Sequence, residues 1–276
     1  MLFRSEALQA LFDTRSGRSD LKLSGLHWTS VYRANIRLAE RYRVGRVLLA
    51  GDAAHVHRPT GGQGLNTSLQ DAYNLGWKLG EVLAGASETL LDSYEEERRP
   101  IAAGVLGLST RVFQRGLRTE PGAAQRGLEE HQLHLSYREG PLTSEERTGP
   151  GRVQAGDRAP DAPCRDAAGH AVRLFDVFRG PHFTLLSFGA LSADTAAGIE
   201  ARYGGKVRVR AVVAPGEGAG GHVLVDAEGH ARRGYDIEGN ALVLVRPDGY
   251  LGLVTPGLDV APVERYLARV VAHRPV

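Results

Sequence analysis

Residues 45–79 read GRVLLAGDAAHVHRPTGGQGLNTSLQDAYNLGWKL, and several kinds of chemistry follow one another along this stretch. Asp52 follows a short apolar run, RVLLAG at 46–51. That run has the pattern of a strand buried on both faces. A carboxylate at such a strand's carboxyl end faces the crevice where open α/β sheets bind ligands, and there it can accept hydrogen bonds from sugar-like hydroxyls. Pro59, Gly61, Gly62 and Gly64 then make a loop whose backbone can approach a flat ligand closely. The loop feeds a helix beginning near Asn66-Thr67, whose free N–H groups carry about half a positive charge and favour an anionic group. Each piece also has a plainer reading: Asp52 caps a turn, and the glycines make an ordinary loop. Asp52, His55 and His57 form a D-x-x-H-x-H array of metal-ligand types. The sequence offers no further ligands for it, so no metal is expected and His55 is assigned to supporting the loop.

The order GD, AAH, P-x-GG-x-G-x-N and DA-x-NL-x-W-K-L resembles the second FAD-binding motif of the class A flavoprotein aromatic hydroxylases, the para-hydroxybenzoate hydroxylase-like monooxygenases. The likeness continues through LLDSYEEERRP at 90–100, and HWTSVYRANIRLAERY at 27–42 is similar to the last strands of the family's substrate domain. From about 152 onward, GDRAPDAP at 156–163 and LVRPDGYLGL at 244–253 resemble the thioredoxin-like carboxyl-terminal domain of phenol and polyketide hydroxylases. GALSADT, after Phe188, has no cysteine where a thioredoxin carries C-x-x-C, so that domain is not expected to be redox active.

The resemblance implies an α/β fold: the carboxyl-terminal part of an FAD-binding domain followed by a thioredoxin-like domain. Its parts would be substrate-domain strands at 1–42, FAD-binding residues at 43–120, a linker region at 121–151 and the thioredoxin-like domain at 152–276. Asp52 would hold a ribityl hydroxyl of FAD, with Gly51 beside it, and Pro59 would lie near the isoalloxazine ring where oxygen reacts. Gly61, Gly62, Gly64, Leu65 and Asn66 would contact the flavin through the loop and the helix end. Trp28 and Tyr32, with Arg37, are candidates for a substrate pocket, although strand aromatics more often serve a core. The implied reaction uses NAD(P)H and oxygen to hydroxylate a phenolic or polyketide-like aromatic. The family's G-x-G-x-x-G element for the ADP half of FAD is not in the chain, nor is its Asp-Gly middle motif. The chain alone is therefore expected to bind FAD weakly or not at all. A separate amino-terminal FAD-binding half is one candidate partner. A non-enzymatic interaction or dimerisation module is the alternative.

These residues need elements to place them. Spacings of three and four put Leu69, Ala72, Tyr73, Gly76, Leu79 and Leu83 on one helical face, with Thr67 and Gln70 as a capping box and Gly85 as the stop. Residues 3–12 and 87–118 read as helix, the latter with a kink or break at Pro100, and 123–136 as a short helix. One or two strands are expected in 20–38. Further strands are expected at 183–188, 207–213, 241–245 and 250–254, with helices at 192–203 and 260–272 and a hairpin turn at Asp248-Gly249. Glu95–Arg99 reads as a solvated helix face, Cys164 as an inert small residue, and His131 and His134 as exposed.

Composition sets the outer bounds. The 276 residues are 42% hydrophobic and 24% charged, enough to bury a core. A net charge of +2 argues against nucleic acid or a membrane surface as partner. One cysteine excludes an internal disulfide framework and suits a reducing cytoplasm. No apolar run approaches the ~18 residues that span a bilayer.

Overall fold

The computed structural model describes residues 5–25, 27–28, 35–57, 62–117, 131–149, 151–217 and 220–272. The chain divides into two units, 1–35 and 36–276. In the first, helix α1 (Ser5–Ser16) is followed by an irregular segment. The Gln9 side chain holds that segment, donating to the Leu21 carbonyl at 2.9 Å and accepting from the Leu23 N–H at 2.7 Å. Trp28 is 79% exposed, so it packs in no core here, and Tyr32 lies outside the described residues.

In the second unit the polypeptide makes three short strands, β1 (Arg37–Leu38), β2 (Arg43–Val44) and β3 (Val47–Leu48), a 3-10 turn at Gly51–Ala53, and β4 (His55–Val56). β1 pairs with β4, and β2 pairs with β3, each antiparallel. The expected doubly buried strand at 46–51 is thus a two-residue strand, with Val47 65% exposed. An apolar run becomes a central strand only where neighbours flank it, and β2 is the one strand beside β3 among the described residues. Of residues 20–38, only Arg37–Leu38 is strand among those described.

Helix α2 spans Gly64–Leu83 and α3 spans Asp92–Leu117, with a 3-10 turn at Glu88–Leu91 between them. α3 runs on through Pro100 without a break. Tyr42, Ala54, Leu75, Leu91, Tyr94 and Ala102 form the core of this portion. α2 starts before the expected cap: Gln63 already has helical backbone angles, and the Thr67 hydroxyl donates to the Gln63 carbonyl at 2.9 Å. Gly85, just beyond the helix, has φ +107° and ends it as expected.

The rest centres on an eight-stranded mixed sheet. Its strands are β5 (Ser144–Glu145), β6 (Pro163–Arg165), β7 (Ala171–Arg173), β8 (Phe183–Phe188), β9 (Val207–Val213), β10 (Val223–Val225), β11 (Ala241–Val245) and β12 (Leu251–Pro256), in spatial order β5-β12-β11-β8-β9-β10-β6-β7. The β11–β12 hairpin turns at Asp248-Gly249 as expected, with Val245 opposite Leu251. Helices α4 (Leu174–Phe178), α5 (Ala193–Arg202), α6 (His230–Gly234) and α7 (Ala261–Val270) complete it. Alternation along the strands feeds two cores. Leu185, Leu242 and Leu244 join α5 and α7 in one, while Leu186, Phe188 and Val243 join Leu174, Phe178 and Tyr235 in the other. Trp77 of α2 and Leu90 also belong to the first core, so the two portions of this unit share apolar interior. The Trp77 and Phe183 rings meet edge to face at 5.5 Å.

Candidate functional site

The Gly51–Ala53 turn is pinned to α2 from beneath. Asp71, fully buried, accepts the Gly51 N–H at 3.1 Å, hydrogen-bonds His55 Nε2 at 2.7 Å and accepts from Arg98 Nε at 2.8 Å. Burial pushes the Asp71 carboxyl up, but the His55 hydrogen bond and the Arg98 charge outweigh it and hold it below the usual range. His55 thus helps hold Asp71 against the Gly51–Ala53 turn; residues 58–61 of the loop it is expected to support lie outside the described residues. Gly51 needs its hydrogen side chain: its φ is +59°, and a Cβ there would lie 3.0 Å from Ser68 Oγ. Asp52 lies in this anchored turn and is exposed, which leaves its carboxylate open to a ligand.

Gly62 (φ +65°) precedes the start of α2, where Leu65 and Asn66 are exposed and no acidic residue occupies the first turn. Free N–H groups at such an end attract negative charge. Gln63 stands there 1% exposed, with neither Oε1 nor Nε2 hydrogen-bonded. A buried carboxamide without partners is costly and calls for a ligand that both donates and accepts. Gln63 is thus a candidate site residue at a position the motif leaves unspecified. Pro59 and Gly61 lie outside the described residues. No group of three His, Cys, Asp or Glu that could hold a metal ion occurs among the described residues.

A second buried cluster lies farther along α2. Arg246 donates to both Glu97 oxygens at 2.6 and 2.9 Å and to both Asp248 oxygens at 3.0 and 2.6 Å. Lys78 adds a 2.8 Å bond to Glu97, and Trp77 Nε1 donates to Asp248 at 3.0 Å. Two cations thus meet two anions, their side chains 0–2% exposed. Burial pushes Glu97 up, but Arg246 and Lys78 outweigh it and draw it down to about 2; burial also lowers Lys78, to about 8, against the opposing pull of Glu97.

This corrects the expectation of a solvated face at Glu95–Arg99. Glu97 and Arg98 are buried rather than solvated; within Glu95–Arg99 only Glu96 is exposed, and Glu95 accepts the Tyr42 N–H at 2.7 Å. On the face read for α2, Leu79 packs against the Tyr42 core, but the other five residues are exposed. Leu69, Tyr73 and Leu83 are 59%, 57% and 85% exposed, while Asp71, Asn74, Lys78 and Glu81 are buried. Periodicity finds a face but not which side the chain covers, and partners distant in sequence bury the polar side.

The FAD binding domain family matches residues 2–109, and the aromatic-ring hydroxylase C-terminal family matches residues 152–273. The chain belongs to the flavoprotein aromatic hydroxylases. It is 47% identical over 266 residues to a flavin-dependent monooxygenase of Mycobacteroides abscessus, covering 96% of this chain and 49% of that one. It is 39% identical over 255 residues to the 12-dehydrotetracycline 5-monooxygenase/anhydrotetracycline 6-monooxygenase of Streptomyces rimosus, covering 86% and 45%. Among solved structures, aklavinone-11 hydroxylase in ternary complex with FAD and aklavinone matches with a TM-score of 0.67 and 34% identity, over 87% of this chain and 46% of that one. This member of the family spans about half the length of the curated relatives it matches. No helix among its described residues is long and apolar enough to cross a membrane.

Proposed function

We propose that the chain is the carboxyl-terminal portion of an FAD-dependent monooxygenase that hydroxylates a phenolic or polyketide-like aromatic with NAD(P)H and oxygen. The observation that carries the reading is the pairing of a free Asp52 carboxylate, on a turn locked by Asp71, with the unpartnered Gln63 amide at the start of α2. FAD fits these residues. Asp52 would accept hydroxyl hydrogen bonds from its polyol chain, and the Gly64, Leu65 and Asn66 amides would favour negative charge on its pyrimidine ring. Gln63 offers one donor and one acceptor, the complement of an imide edge. Leu65, 72% exposed, offers an apolar side chain to a flat ring. When bound, FAD would carry electrons from NAD(P)H to oxygen, the protein supplying position and electrostatics. Aromatic polyketide substrates are favoured by the names of the tetracycline and aklavinone relatives. The spatial order β9-β8-β11-β12, with only the β8–β9 pair parallel, supports a thioredoxin-like reading of 152–276. The buried Cys164, its thiol pushed up to about 11 by burial, suits a cytoplasmic protein.

The exposed apolar face of α2 favours a second reading, a chain that works only with an amino-terminal FAD-binding half or as an association module. Titration of the chain with FAD, alone and with that half of a relative, tests both. Tight binding with a perturbed flavin spectrum by the chain alone supports the first reading, binding beyond that of the added half alone supports the two-part chain, and binding in neither favours the association module.

A further inference from the structure

We propose that a cleft between α2 and the sheet portion binds a planar, hydroxylated aromatic acid. The cleft holds about 390 Å³, and none of its lining residues belongs to the Gly51–Asn66 segment assigned to FAD. Aromatic rings form its walls. Tyr137 and Tyr250 pack at 4.2 Å between ring centroids, and Phe175 and Phe178 at 6.4 Å. Phe175 and Tyr73 are each 57% exposed, apolar surface that a flat ligand would cover.

The polar groups set the ligand's chemistry. Arg158 lies over the Tyr250 ring at 5.6 Å and donates from Nε to its hydroxyl at 3.2 Å. No carboxylate among the described residues pairs with it, so its guanidinium is available to an anion. Arg179 supplies a second guanidinium at the rim, bonded to Asp176 at 3.1 Å. Asp248 also lines the cleft, but Arg246, Asn74 and Trp77 occupy its oxygens, which blunts repulsion of an anion. Asn74 donates from Nδ2 to Glu97 and Asp248, and its buried Oδ1 has no partner. That oxygen calls for a donor, which a phenolic hydroxyl provides. Aromatic walls, an unpaired guanidinium and an orphan acceptor together describe a hydroxyaryl carboxylate.

The test uses the full chain without FAD and 6-hydroxy-2-naphthoate as probe, followed by calorimetry and by NMR of the aromatic side chains. Saturable one-to-one binding that perturbs Tyr250 and Phe175 is expected. Arg158→Gln should weaken it about tenfold or more, and Phe175→Ala about two- to tenfold. In the wild-type chain 2-naphthol, which lacks the carboxylate, should bind about tenfold or more weakly, so charge recognition is decided even if a variant misfolds. Added FAD should leave the affinity unchanged. Absence of saturation, equal affinity for 2-naphthol, equal affinity in folded variants, or displacement by FAD would each overturn the proposal. A chain that fails to bind FAD removes the proposed cofactor site and leaves this cleft's test intact.

Discussion

Glu97 takes three charge-assisted hydrogen bonds from Arg246 and Lys78 in a place water does not reach. Removing one member of such a cluster strands the others, so Arg246→Met should cost about 3–5 kcal/mol in urea unfolding. The acid limb of stability should carry the same signature. The Glu97 carboxyl is drawn below its ordinary 4.5 to about 2, so its contribution is full above pH about 4.5 and fades as pH falls toward 2. Glu97→Gln should flatten unfolding free energy against pH across that window, and an unchanged slope would refute the assignment. At the cofactor reading, Asp52→Ala and Gln63→Leu should each weaken FAD binding about tenfold while leaving the melting temperature of the free chain nearly unchanged or, for Gln63, raised. Equilibrium titration in the arm that binds FAD, beside thermal melts, checks this.

α2 is the element on which the portion's polar contacts converge. Asp71 ties it to the Gly51 turn, β4 and α3, and Lys78 reaches Glu97 on α3. Asp71→Asn keeps the shape but removes the charge that His55 and Arg98 face. It should cost about 1–3 kcal/mol, and hydrogen exchange of the Gly51 amide should accelerate. The outer face behaves oppositely. Leu69→Glu removes exposed apolar surface and should leave unfolding free energy within about 0.5 kcal/mol of the parent. It should also lower any self-association seen by sedimentation velocity.

Among the described residues of 36–272, the portion matched by the FAD binding domain family and the one matched by the hydroxylase C-terminal family share a hydrophobic core. Trp77 and Leu90 enter the sheet's core, Arg246 reaches back to Glu97, and Lys206 bonds Glu81 at 2.6 Å. Residues 36–272 should therefore unfold in one cooperative transition, with near-UV circular dichroism and hydrogen exchange of β8 losing signal together. Two resolved transitions would show that the shared core and charge cluster are too weak to couple the portions.

The sequence by itself determined what depends on local pattern. The strands near 183–188, 207–213 and 241–245, the Asp248-Gly249 hairpin and the stop at Gly85 follow from short apolar runs and from glycine's access to positive φ. The helix after the glycine loop was likewise legible, although it starts at Gly64 rather than near Asn66-Thr67. Tertiary structure alone decided which side of α2 faces inward, because Asp71 and Lys78 find partners at 98, 97 and 55 that no spacing rule connects. It decided that EEERR supplies interior charge at Glu97 and Arg98, and that Asp248, legible as a turn residue, also closes a buried ion cluster. Burial is a property of what lies opposite. A helical pattern names its faces, but only the folded chain sets a guanidinium against a carboxylate and buries Asp71 and Lys78 beside Leu75 and Trp77.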